Sequence, residues 1–135
     1  MASNPENLAM SVVNPDTLSH ARFVDLVTYR RDGTPIGTQV LFVEESNRFL
    51  VRIAHNSGKL KRLRNDSRVE LAACDQRGRR TGPAFTGQAR ILGHEDVQPT
   101  LRRLHAKYPV SARLFTMIRM VQRRRNVIVE VTLHA

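Results

Sequence analysis

The residues whose types and spacing could do chemistry lie between Phe49 and Asp66, FLVRIAHNSGKLKRLRND. A short apolar strand breaks at His55, Asn56, Ser57 and Gly58 and continues into a helix that carries Lys59, Lys61, Arg62 and Arg64. The first N–H groups of a helix have no partner within it and present partial positive charge, so a strand feeding a basic helix through small residues is an anion site in outline, suited to a phosphate. A run of Lys and Arg is equally the signature of a solvated helix face. Charge by itself leaves both readings standing.

Composition narrows the setting. The 135 residues are 41% apolar and 25% charged, the proportions of one globular domain large enough to bury a core. With 22 Lys and Arg against 12 Asp and Glu, the net charge of +10 favours anionic partners: nucleic acid, an anionic membrane surface or a polyanionic small molecule. Cys74 is the single cysteine, which excludes an intramolecular disulfide and fits a reducing compartment. His20, His55, His94, His105 and His134 are scattered without metal-ligand spacing. No apolar run reaches the ~20 residues of a membrane span, and the N-terminus lacks the pattern of a signal peptide, so the expectation is a soluble, cytoplasmic protein.

The elements that must position the basic segment follow from periodicity. Residues 1–17 read as a flexible arm and 18–135 as the folded domain. ARFVDLVTYR (21–30) alternates as a strand; Asp32-Gly33 turns the chain into a second strand from Pro35 to Glu44, and Glu45-Ser46-Asn47 turns it into a third from Arg48 to Ala54. Leu60 and Leu63 face inward on the helix that follows. RVELAAC (68–74) and Ala84–Leu92 form a longer hairpin. Val97, Leu101, Leu104 and Tyr108 then mark an amphipathic helix that tolerates Pro99 in its first turn and ends at Pro109. A second helix is predicted from Ser111 to Arg123, and Val127, Val129, Val131 and Leu133 alternate along a last strand. Six short antiparallel strands protect their edges best by curling, which gives a mainly β fold: a six-stranded antiparallel barrel with flanking helices.

TYRRDG, PIGTQV, VRIAHNSGKLKRLRND, RVELAACDQRG and GQARIL, in that order, resemble the pyridoxamine phosphate oxidase-like split-barrel flavoproteins, and within them the small actinobacterial branch that uses the deazaflavin coenzyme F-420. The resemblance spans about Leu18 to Leu133. It implies a split β-barrel and a homodimer with cofactors in clefts at the subunit interface. It also implies a phosphate held by Arg52, Ser57, Gly58, Lys59 and Arg62, with Lys61 nearby, and a ring system resting over Thr38, Gln39 and Val40. Two positions depart from the family pattern: Ile53 stands where a hydroxyl residue is common, and Leu41 about where an aromatic often lies.

The resemblance further implies an oxidoreductase that passes hydride between the reduced cofactor and an electron-poor small molecule. F-420, with a tail of several carboxylates, suits the basic surface, including Arg77, Arg79, Arg80, Arg123, Arg124 and Arg125, better than FMN, which is the alternative cofactor. Other readings are a non-catalytic cofactor carrier and, more remotely, a nucleic-acid-binding barrel. Against the last, aromatic residues are only 5% and sit at apolar positions, leaving no stacking platform. The sequence singles out no general acid. Tyr29 and His55 are proton donors by type, and Cys74 reads as a packed core residue.

Overall fold

A computed structural model describes residues 15–108 and 125–134. The arm as far as residue 14, the predicted helix at 111–123 and Arg123 and Arg124 lie outside the described residues. Pro15 precedes a one-turn helix, α1 (Asp16–Ser19), which buries Leu18 completely. The chain continues as β1 (Phe23–Tyr29), β2 (Pro35–Val40), β3 (Phe42–Glu45), β4 (Arg48–Ala54), α2 (Gly58–Asn65), β5 (Arg68–Cys74) and β6 (Arg80–Ile91). A 3₁₀ turn (His94–Asp96), α3 (Val97–Lys107) and β7 (Asn126–Leu133) complete it.

The strands form a single antiparallel sheet in the order β2-β1-β5-β6-β7-β4-β3. Its two outermost strands are consecutive in sequence and are joined by Leu41 alone. Two edges held one residue apart force the sheet to curl, as the predicted split barrel requires. The predicted second strand is therefore two strands, and the total is seven. Val40 still pairs with Val24 of β1, whereas Phe42 pairs with Val51 of β4, so the chain changes partner at Leu41.

Tyr108 pins that joint. Its hydroxyl donates to the carbonyl of Arg22 at 2.7 Å and accepts the N–H of Phe42 at 3.1 Å. A buried amide that has lost its ladder partner needs such a replacement. The β5–β6 hairpin also starts earlier than the periodicity suggests. Asp75 accepts the N–H groups of Arg77 and Arg79, and Gly78 adopts φ 82°, so pairing resumes at Arg80. The register then shifts between Ala72 and Cys74, and Pro83, which has no N–H to give, falls opposite that irregularity.

Alternation divides the apolar residues between two clusters. Val24, Leu26, Phe42, Phe49, Val51, Ile53, Val69, Leu71, Val129 and Val131 fill the inner face, joined by Leu60 and Leu63 from α2. Phe23, Leu41, Val43, Leu50 and Ile128 lie on the outer face, beneath Val97, Leu101, Leu104 and Tyr108. The helical spacing read from the sequence is thus the face that α3 buries.

Candidate functional site

The turn after β4 is built from local chemistry. Ser57, with extended backbone, caps α2, and its Oγ accepts the N–H groups of Lys59 at 3.1 Å and Leu60 at 3.4 Å. Two of the donors expected to face an anion are therefore occupied by the cap. The Gly58 N–H has no protein acceptor among the described residues, and the Ser57 hydroxyl keeps its own proton to donate. Leu60 and Leu63 anchor α2 in the inner cluster, which fixes the orientation of the helix and its cations.

Arg52 of β4 and Lys59 and Arg62 of α2 converge. Arg52 lies on the outer side of β4 with Leu50, and burial pulls its guanidinium down to about 10, still a cation at neutral pH. Its Nη1 donates to Asn126 Oδ1 at 3.4 Å. Lys59 is lowered from the ordinary lysine value, first by burial and then by the charges of Arg62 and Arg52. Arg62 Nε donates to Thr28 Oγ1 at 2.7 Å, and its Nη1 lies 3.1 Å from where a Cβ on residue 58 would sit, so Gly58 leaves room for the guanidinium at the helix start. No carboxylate forms an ion pair with any of the three among the described residues. Like charges held together without a counter-charge are costly to the fold.

By contrast, cations elsewhere on the sheet are paired. Arg103, Glu45, Arg48, Glu130 and Arg90 alternate in sign across α3, β3, β4, β7 and β6. Lys61 and Arg64, the other basic residues of α2, are exposed and do not perturb Lys59.

The second-strand candidates divide between the two faces. Thr38 pairs with Leu26 and Val40 with Val24, which places both on the inner side; Gln39 pairs with Asp25 on the outer side. Gln39 Nε2 is held by the carbonyls of Asp75 and Gln76 at 3.0 and 3.3 Å. Thr38 Oγ1 is buried without a hydrogen-bond partner. Tyr29 Oη donates to Glu70 at 3.0 Å beneath the guanidinium of Arg68, and burial and Glu70 raise its pKa. His55 is exposed, and Cys74 is buried with its thiol pushed up to about 11.

Two residues of the site escaped the sequence reading. Thr28 is fully buried in a row otherwise occupied by Val24 and Leu26, and a hydroxyl in that row was the available signal. Asn126, the partner of Arg52, opens β7 and carries no local signal.

The sequence profile described as pyridoxamine 5′-phosphate oxidase matches residues 15–133, which is nearly the whole chain. The chain belongs to the pyridoxamine 5′-phosphate oxidase family. Solved structures with this split-barrel fold include the conserved hypothetical protein Rv2991 from Mycobacterium tuberculosis, at 22% identity and TM-score 0.66 over 89% of this chain and 78% of that one. HutZ, a heme storage protein from Vibrio cholerae, shares 13% identity and TM-score 0.66 over 97% and 90%. An F-420 reductase shares 16% identity and TM-score 0.62 over 91% and 97%. No curated protein sequence matches this one. Within the family fold, no helix among the described residues is long and apolar enough to cross a membrane.

Proposed function

We propose that this family member is a cytoplasmic, homodimeric oxidoreductase that holds coenzyme F-420 by its phosphate at the subunit interface and reduces an electron-poor small molecule. The observation that carries the reading is the convergence of Arg52, Lys59 and Arg62 on the start of α2 with no carboxylate to balance them. The residues fit the group. The three cations would neutralise the phosphate, while the Gly58 N–H and the Ser57 hydroxyl would donate to its oxygens. The main chain of β2 at Thr38, Gln39 and Val40 would support the ring, since the side chains of Thr38 and Val40 turn toward the packed inner cluster. When bound, the deazaflavin supplies the hydride chemistry; the chain positions it and excludes water.

F-420 is preferred to FMN because its additional carboxylates suit a net charge of +10. A carrier that binds cofactor without turnover uses the same residues, and turnover is what separates the two. The test is a titration with F-420, FMN, haem and a random oligonucleotide at two salt concentrations, followed by single-turnover measurements on the loaded protein. Saturable F-420 binding at one per subunit, weakened in Lys59→Ala, is expected. Saturable oligonucleotide binding with no response to either flavin would overturn the reading.

A further inference from the structure

A concave site lies beside the phosphate cradle, next to Asn126. It encloses about 770 Å³ between the end of β4, α2, the end of β6, α3 and the start of β7. That is within the range that holds a small organic ligand. Its walls have two characters. Ile91, Leu92, Val97, Leu101 and Val127 supply an apolar floor, and Ile91 is the one large apolar side chain exposed among the described residues. Arg64 of α2, Arg102 of α3 and Arg125 just before β7 line the same space, together with His55, His94 and His105.

Six arginines elsewhere on the sheet, its turns and α3 are paired. Arg48, Arg68, Arg79, Arg80, Arg90 and Arg103 each meet a carboxylate. Arg64, Arg102 and Arg125 meet none among the described residues, and no carboxylate lines the cavity. Glu95 and Asp96 stand between the lining residues His94 and Val97 but do not themselves line the cavity, and the Glu95 carboxylate lies against Gly93. An apolar floor beneath unpaired guanidinium groups selects for a ligand that is apolar and anionic at once, because each half of such a ligand satisfies one half of the site.

We propose that this cavity is a binding site for an organic anion: an aromatic or otherwise apolar body bearing carboxylate, sulfonate or phosphate groups. The body rests on Ile91, Val97 and Leu101, and the acidic groups meet Arg64, Arg102 and Arg125. The site is separate from the phosphate cradle but shares a wall with it, since Asn126 lines the cavity and also accepts the hydrogen bond from Arg52. The inference stands on the cavity's own residues and does not require the cradle to hold a cofactor.

The test uses 8-anilinonaphthalene-1-sulfonate, an aromatic sulfonate, as a fluorescent probe of the full chain. One saturable site per subunit is expected, with affinity at least about tenfold weaker in the double variant Arg64→Glu/Arg102→Glu. A charge-matched control, Arg31→Glu/Arg77→Glu, reverses two exposed arginines away from the cavity and is expected to bind as the wild type does. Thermal unfolding of both double variants checks that each is folded. If the cavity variant unfolds early, Arg102→Gln alone carries the comparison, with a smaller loss of affinity expected. Equal weakening in the cavity and control variants would reduce the effect to general charge and overturn the proposal, as would unchanged binding in the cavity variants. Lys59→Ala is expected to leave probe binding intact, so failure of the cradle and failure of this site read out separately.

Discussion

Arg62 Nε donates a 2.7 Å hydrogen bond to Thr28 Oγ1, tying a cation of α2 to a fully buried hydroxyl on β1. The bond turns a long, flexible side chain into a fixed one and places its guanidinium beside Gly58. Thr28→Val keeps the volume and removes the acceptor. It should cost about 1–2 kcal/mol of stability and weaken inorganic phosphate binding by about fivefold. Urea unfolding and calorimetric titration measure the two effects, and a phosphate affinity that stays at the wild-type value would remove Arg62 from the cradle.

Phosphate itself should stabilise the fold. Arg52, Lys59 and Arg62 repel one another without a counter-ion, so an anion that binds only the folded chain raises its melting temperature by mass action. Phosphate should raise it more than chloride at equal ionic strength, and Lys59→Ala should remove most of that difference. Burial and the neighbouring cations lower Lys59, and Arg52 sits at about 10, so the phosphate effect should fade as pH rises toward 10 and these groups lose their protons. Equal stabilisation by chloride would argue for general screening instead of a site.

The hydroxyl of Tyr108 should be worth more than an average hydrogen bond. Tyr108→Phe leaves the ring stacked near Phe23, with centroids 6.0 Å apart, and strands the Phe42 N–H and the Arg22 carbonyl. A loss of about 1–3 kcal/mol is expected, together with faster hydrogen exchange at the Phe42 amide than at its neighbours in β3 and β4. An unchanged exchange rate at Phe42 would mean that the joint is held by packing.

Lys107 gives a pH signature. Burial pulls its ammonium down to about 8, although it lies 3.2 Å from the centroid of the Phe42 ring and donates to the Phe42 carbonyl. Because the folded value lies below the unfolded one of about 10.4, the charge disfavours folding fully below pH 8, and that penalty disappears as pH rises from about 8 to about 10.4. Stability of the wild type relative to Lys107→Met should therefore increase across this window. Comparing the two proteins matters, because Cys74 acts in the opposite direction: its thiol is raised to about 11, so its contribution is lost as pH rises through the range from about 9 to 11. A difference that stays flat from pH 7 to 10 would contradict the assignment.

What could be read from the chain was local. The cap at Ser57, the inward Leu60 and Leu63 and the apolar face of α3 depend on residues a few positions apart, and each lies where its period places it. The break at Leu41 could not be read, because VLFV is an uninterrupted apolar run and only the change of partner from β1 to β4 divides it. Partners distant in sequence were equally hidden. Thr28 and Arg62 are 34 residues apart, and Arg52 and Asn126 are 74. The split of Thr38 and Gln39 between two faces, by contrast, was implicit in the strand period and lost by treating three adjacent residues as one floor.

The joint at Leu41 has a mechanical consequence. The two margins of one continuous sheet meet at a single residue, so the ladder running from β2 round to β3 and the peptide link at Leu41 close a ring of constraints. Any displacement of β2 from β3 must be taken up at Leu41 and also spread over the strands between them. Tyr108 adds to the resistance by holding Phe42 just after the joint and Arg22 at the entry to β1. The wall of the sheet beside Thr38 and Val40 is thereby held stiff.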